Sequence, residues 1–254
     1  MPDMTNSTTT TDTLIGGRVT LVQPAKGYRV AIDPVLLAAS IPAAPGDTVL
    51  DVGAGTGAVS LCLAHRCPGV QITGLEREAD FHAMAVESAA LNGFSINLVQ
   101  GDLFKLPDAL AGRQFDQVVT NPPYWSADSS RPPATNRRAA HFLDGHTLAD
   151  WLAACAGLVK SGGRLSMILP AEKRAEALAA LAGHCDAVVQ IPLLPRQGRA
   201  PKRLILQAVV GGAPTQEEAP GLVLHESLVL HETDGSYTQD AQDILERGRA
   251  LKPA

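Results

Sequence analysis

The sequence lacks several things, and each absence excludes something. No stretch of about 20 uninterrupted apolar residues occurs, so no membrane span is expected. The first 17 residues hold no Lys or Arg and no apolar run, which argues against a secretory signal or transit peptide. None of the four cysteines, Cys62, Cys67, Cys155 and Cys185, forms a C-x-x-C pair. Three of them sit in apolar contexts, which fits packed thiols in a reduced, cytoplasmic chain. His65, His82, His146, His184, His225 and His231 are scattered without metal-ligand spacing, so no metal site is expected. Internal repeats are missing. So is an excess of positive charge: the net charge is −5, which excludes a uniformly basic nucleic-acid coat but not a local basic patch.

What is present is the composition of a globular chain, with 254 residues, 45% hydrophobic and 19% charged. Strand, glycine-containing turn and helix alternate, which predicts a parallel α/β sheet. Strands are expected at 18–23, 48–52, 70–75, 96–100, 115–120, 163–169, 187–194, 203–210 and 222–230. Helices are expected at 58–66, 78–91, 148–159, 171–183 and 238–251, with Asn92-Gly93 closing the second. Asp33-Pro34 opens a further helix, with Asp33 as its N-cap. Residues 1–13 read as a disordered polar tail and 14–45 as a strand and helix capping the site. The main domain is expected over 46–212, and 213–254 as its C-terminal extension. Residues 121–141, rich in proline and arginine, read as a long loop.

Asp51-Val-Gly-Ala-Gly-Thr-Gly57 follows a buried strand and opens a helix. Glycines there let a ligand approach the backbone closely. Alone, such a loop serves many Rossmann-like sheets, or is only a tight turn. Two acids sharpen it. Glu76 ends the second strand, where a carboxylate can accept both hydroxyls of a ribose or be simply a surface charge. Asp102 follows the third strand, where it can meet an adenine amine or simply cap the next turn. Spacing does not by itself separate NAD from S-adenosylmethionine. The glycines, however, run G-x-G-x-G rather than G-x-G-x-x-G, and Asp51 precedes them. Its charge is awkward beside a pyrophosphate and favourable near an ammonium and a sulfonium, so the methyl donor is preferred.

Asn121-Pro122-Pro123-Tyr124 comes directly after the fourth strand. Its prolines stiffen the loop. The Asn121 side-chain carbonyl and the Pro122 main-chain carbonyl can then aim at one planar NH₂ group. Two acceptors on its two N–H bonds favour pyramidalisation and direct the lone pair at a methyl carbon. Tyr124 adds a face for base stacking. Trp125 either packs on the loop or stacks, and Trp151 reads as a helix core residue.

These motifs resemble the class I S-adenosylmethionine-dependent methyltransferases that modify planar amines. Gly27–Leu37, Pro201–Leu206 and Leu228–Thr238 make the chain similar to the bacterial tRNA1(Val) (adenine-N6)-methyltransferase family. The resemblance implies a Rossmann-like, seven-stranded, mostly parallel sheet with an antiparallel last strand. It implies that Gly53, Ala54, Gly55 and Gly57 line the donor together with Asp51, and that Glu76 holds the ribose. Asp102 and Leu103 would hold the adenine, and Asp33 with its helix would cover the methionine end. Asn121, Pro122 and Tyr124 would receive the target base, adenine 37 of a valine tRNA, with Asn121 also touching the donor. Basic residues would meet RNA phosphates: Lys26 and Arg29 before the covering helix; Arg131, Arg137 and Arg138, with His141, beyond Tyr124; and Arg196, Arg199, Lys202 and Arg203 before the last strand, on the rim of Asn121. Other readings are a protein glutamine methyltransferase, a catalytically silent RNA-binding relative, and an NAD-linked oxidoreductase, in which Asn-Pro-Pro-Tyr has no evident role. A monomer or weak homodimer is expected.

Overall fold

The apolar stretch after Asp47 lies where a strand buried on both faces belongs. β3 (Thr48–Val52) sits inside a nine-stranded sheet and pairs in parallel with β4 (Gln71–Glu76) and β6 (Phe115–Thr120). The computed structural model describes residues 8–27, 29–122, 145–211 and 221–251. β5 (Ile96–Gln100) closes one edge beside β4. On the other side follow β7 (Val159–Pro170), β9 (Arg203–Val209) and β8 (Ala187–Arg196). β9 is antiparallel to both its neighbours, so this is the Rossmann-like class I methyltransferase sheet with its reversed strand.

Seven strands form that pattern, and two more join it at the edge. The expected strand at 222–230 is broken into β10 (Gly221–Leu224) and β11 (Leu228–His231), and both pair in parallel with β8. β10 meets Ala187–Gln190 and β11 meets Leu193–Arg196, so the break lies opposite Ile191-Pro192. A proline has no N–H to offer a ladder.

Helices cover both faces. α1 (Asp33–Ser40), α2 (Ala58–Arg66), α3 (Ala79–Asn92) and α6 (Gln239–Arg247) lie on one. α4 (Leu148–Gly157) and α5 (Arg174–Leu181) lie on the other. Alternation along β3 shows the division: Val49 packs with α1 and α2, while Leu50 and Val52 pack with Trp151 and Leu152 of α4. α4 starts where expected, on a Thr147–Asp150 capping box, and ends two residues early because Val159 already belongs to β7. The helix expected at 171–183 splits into a 3₁₀ turn, Ala171–Lys173, and α5.

The N-terminal expectation needs correction. β1 (Thr9–Leu14) pairs antiparallel with β2 (Val19–Pro24), so the polar stretch is a strand from Thr9 onward. Threonine is β-branched and suits a pleated strand once an apolar partner such as β2 is present. The hairpin is tied to α3: Val22 N–H donates to Ser88 Oγ at 2.9 Å and Thr20 N–H to Asn92 Oδ1 at 2.8 Å.

Candidate active site

The loop after β3 is shaped by backbone bonds. Gly53 and Ala54 both donate to the Leu75 carbonyl, at 2.9 and 3.0 Å, which draws the loop across the end of β4. Gly53, Gly55 and Gly57 have φ of 70°, 58° and 87°, a region that favours glycine. A Cβ at Gly57 would sit 3.3 Å from that of Ala85, so glycine also permits α3 to approach. At Gly55 nothing stands within 4 Å of that position, and this is where the backbone is open to a ligand.

Two carboxylates lie under the loop. Glu76, 3% exposed, accepts from Gly55 N–H through Oε2 at 2.7 Å and from Glu78 N–H through Oε1 at 2.8 Å. Burial pushes its pKa above the ordinary carboxylate value, against the pull of those N–H groups. Each oxygen keeps a lone pair for a further donor. Asp51, 1% exposed, accepts through Oδ2 from the Ser60 N–H (3.1 Å) and hydroxyl (2.7 Å). Burial pushes it up to about 6, the Ser60 bonds oppose this, and the Glu76 charge adds to it. Thr56 contributes a buried hydroxyl that has no partner among the described residues. Two buried, desolvated acids beside an open glycine fit a cationic donor bearing hydroxyls better than they fit an anionic pyrophosphate.

Asp102 caps its own turn: Oδ1 accepts from Phe104 N–H at 2.8 Å and Oδ2 lies 3.4 Å from Arg77 Nη1. Leu103 is buried beside it. Next to this turn is an aromatic cluster that sequence reasoning misses. Phe104 stacks on His146 with centroids 3.5 Å apart and meets Trp151 edge-on at 6.1 Å. Trp151 is a core residue, as expected, but it does more. Its indole N–H donates to Thr120 Oγ1 (3.1 Å), that hydroxyl donates to the Val52 carbonyl (2.9 Å), and the ring would contact a Cβ at Gly53 at 3.3 Å. One side chain thus fixes both the start of the glycine loop and the strand end that carries Asn121. No spacing rule marks it; a buried indole needing an acceptor was the only signal.

Asn121, half-buried, and Pro122, buried, follow Thr120. Val52 and Thr120 are paired across β3 and β6, so Asn121-Pro122 and the glycine loop leave the sheet side by side. Pro123, Tyr124, Trp125, Arg131, Arg137, Arg138 and His141 lie outside the described residues.

The basic segments separate into different kinds. Thr120 pairs with Met167 on β7, and Arg203 with Pro170, so the β8–β9 turn shares the rim of Asn121. Arg196, Arg199 and Lys202 are exposed there and form no ion pair within 4 Å among the described residues. Arg203 is different: its Nε donates to Asp33 Oδ2 at 2.8 Å. Asp33 is accordingly not the N-cap of α1. Ile32 holds that position, and Asp33, in the first turn, makes no capping bond. Arg29 is likewise engaged, at 2.6 Å from Asp12 and 2.7 Å from Thr10 Oγ1, while Lys26 is exposed. Both paired arginines therefore act first as ties within the fold.

The methyltransferase small domain family matches residues 29–191. The chain belongs to this family. As a small-domain methyltransferase it is similar to the tRNA1(Val) (adenine(37)-N6)-methyltransferase of Actinobacillus pleuropneumoniae serotype 5b, 30% identical, with 83% of this chain and 86% of that protein covered. The protein of that name from Shewanella amazonensis is 31% identical, with coverage of 89% and 93%. Among solved structures, a predicted O-methyltransferase from Agrobacterium tumefaciens superposes with a TM-score of 0.68 at 25% identity, covering 87% of this chain and 98% of that one. The T. thermophilus 16S rRNA N2 G1207 methyltransferase, solved with AdoMet and guanosine, shares the fold at a TM-score of 0.54 and 18% identity, covering 80% and 50%. Among the described residues no helix is long and apolar enough to cross a membrane, and no group of three or more potential ligands could hold a metal.

Proposed function

We propose that this methyltransferase methylates N6 of adenine 37 in tRNA1(Val), the reaction for which its curated relatives are named. The observation that carries the reading is the pairing of Val52 with Thr120, which places Asn121-Pro122 beside the glycine loop. When bound, S-adenosylmethionine supplies an electrophilic methyl group on a sulfonium. Asp51, Glu76 and the Gly55 backbone would hold that donor, with Asp51 toward its cationic end and Glu76 toward its ribose. Asp102 would sit near its adenine.

On the acceptor side, an adenine N6 is a poor nucleophile because its lone pair is shared with the ring. Asn121 Oδ1 and the Pro122 carbonyl accept its two N–H bonds and orient the lone pair, which is positioning rather than base catalysis. Tyr124, outside the described residues, is the residue that the family resemblance assigns to stacking on the base. The proton is lost to solvent once the nitrogen has become cationic. An anticodon-loop adenine is already outside a duplex, so its presentation costs little. A cytoplasmic monomer or weak homodimer acting on tRNA belongs to the same reading. Nucleoside mass mapping of tRNA from a deletion strain tests it: N6-methyladenine at position 37 of that tRNA should vanish and return with the wild-type gene. A tRNA left unchanged by deletion, or a lost methyl on a glutamine amide, contradicts it.

A further inference from the structure

The basic β8–β9 turn has a neighbour that neither the donor loop nor the amine site uses. β11 runs beside β8 at the sheet edge with His231 in register with Arg196, on the rim of Asn121. The chain then turns through 232–236, held by Glu232 N–H to the Ser236 carbonyl (2.9 Å) and Gly235 N–H to the Glu232 carbonyl (3.1 Å). It returns so that Tyr237 bridges back to His231. The imidazole and phenol rings stack, with centroids 4.8 Å apart and planes 21° from parallel. His231 Nδ1 lies 3.1 Å from the Gly235 carbonyl oxygen, which steadies the imidazole. The Arg196 guanidinium lies over the same turn, its Nη2 3.9 Å from where a Gly235 Cβ would be.

Tyr237 is not needed to hold this corner. Thr238 does that: it caps α6 by accepting from Ala241 N–H (3.2 Å), and its hydroxyl donates to the Val229 carbonyl (2.6 Å). Ala241, Ile244 and Leu245 supply the buried face of the helix. Tyr237 stays 37% exposed, and among the described Phe, Tyr and Trp residues it alone is exposed. Arg196 lies over this turn, and Arg199 and Lys202 follow it at the β8–β9 turn; the 232–236 turn carries two carboxylates, Glu232 and Asp234, and Asp234 is held below the usual carboxylate range by its Ser236 hydrogen bonds and by the Arg196 charge. An exposed aromatic ring backed by an imidazole, on a rim where three exposed cations outnumber the two acids of the adjoining turn, has the composition of a single-stranded nucleic-acid surface.

We propose that His231 and Tyr237, with Arg196, Arg199 and Lys202, form a second nucleotide-binding platform for the RNA substrate. The proposal rests on the reading of this enzyme as an RNA methyltransferase. From β6 the rim crosses β7, β9 and β8 to β11. Four strand spacings make that roughly 20 Å, too far for the platform to hold the target adenine itself. It takes a neighbouring base of the same stem-loop on the Tyr237 ring, with the flanking phosphates on the arginines and lysine. The platform thus contributes to the choice of RNA and not to methyl transfer.

The test compares Tyr237→Ala, Tyr237→Phe and Arg199→Ala/Lys202→Ala with the wild type, using tRNA1(Val) transcript and S-adenosylmethionine as probes. Tyr237→Ala should weaken tRNA binding about tenfold, as loss of one stacked base does. It should raise KM for RNA while kcat and donor affinity hold, and Tyr237→Phe should bind like the wild type. If the basic double variant loses tRNA affinity but Tyr237→Ala does not, the platform is wrong and the RNA reading stands. A surface built for a protein partner would give that same result, with the salt slope of Tyr237→Ala at its wild-type value. If the wild type shows no salt-dependent affinity for tRNA, the RNA reading itself fails and the platform with it.

Discussion

The two halves of the rim are built on different principles. On the side proposed for the donor, from β3 to β5, the acids are held by short hydrogen bonds close to the backbone: buried Glu76 by the Gly55 and Glu78 N–H groups, buried Asp51 by Ser60, and half-buried Asp102 by Phe104 N–H. On the acceptor side, from β8 to β11, the groups are exposed side chains at a hairpin tip, with Arg196, Arg199 and Lys202 free of ion pairs among the described residues. A small, invariant ligand permits a preorganised cradle. A large polyanion is met by charges that need reach rather than fixed geometry. Between the two lies β6, where Trp151 and Thr120 fix the strand end that delivers Asn121.

This contrast can be broken at several points. The largest effect should come from Asn121→Ala. Its acceptor matters in the transition state, so single-turnover transfer should fall by roughly two to three orders of magnitude. Donor affinity, read by calorimetry, should stay near wild type; an active variant removes the amine site from the mechanism. Next comes Glu76→Ala, which deletes a buried charged acceptor and should cost about 1–3 kcal/mol of donor binding. Unchanged donor affinity would place the ribose elsewhere.

A smaller effect is expected from pH. The folded value of Asp51 is raised to about 6, so the group takes up its proton as pH falls through that value. Donor affinity should drop about fourfold between pH 7.5 and 5.5 beyond any drop seen in Asp51→Asn. In the free protein the sign is opposite. A raised folded value means that the stabilising contribution is present at low pH and is lost as pH rises through about 6. Denaturant melts should therefore show Asp51→Asn gaining on the wild type between pH 4 and pH 7.5, and a parallel pH dependence would contradict the burial argument.

The smallest effect separates the arginines. Arg199→Ala/Lys202→Ala should flatten the salt slope of tRNA binding by up to about 1 per lost phosphate contact and leave the donor untouched. Arg203→Ala should also shift donor affinity by a few-fold, because it releases Asp33 from its 2.8 Å pair. Equal behaviour of the two variants would erase that distinction.

The donor side was legible in the sequence because backbone geometry leaves fixed traces. Glycines at positive φ, an acid at the end of β4 and a proline-stiffened turn after β6 occur at spacings set by strands and turns. The reversed β9 was expected from the family resemblance, not from the pattern of the strands themselves. What was not legible depends on which partner a residue meets rather than on its own local pattern. The threonines of β1 read as a tail until β2 gives them a ladder. Asp33 reads as an N-cap until Arg203, 170 residues away, takes its carboxylate. Trp151 reads as core, and only its bond to Thr120 shows that it also sets the site. Charge at the rim was visible as composition, but which arginines remain free was a matter of tertiary pairing.

The most direct test of the amine site is transfer of labelled methyl from S-adenosylmethionine to tRNA1(Val) transcripts carrying A or G at position 37, by wild type and Asn121→Ala. The wild type should place one methyl on each A37 transcript, recovered as N6-methyladenine. None should appear on the G37 transcript, and Asn121→Ala should label the A37 transcript roughly two to three orders of magnitude more slowly even though it still binds the donor. Label in the G37 transcript, or equal label from Asn121→Ala, would contradict the assignment.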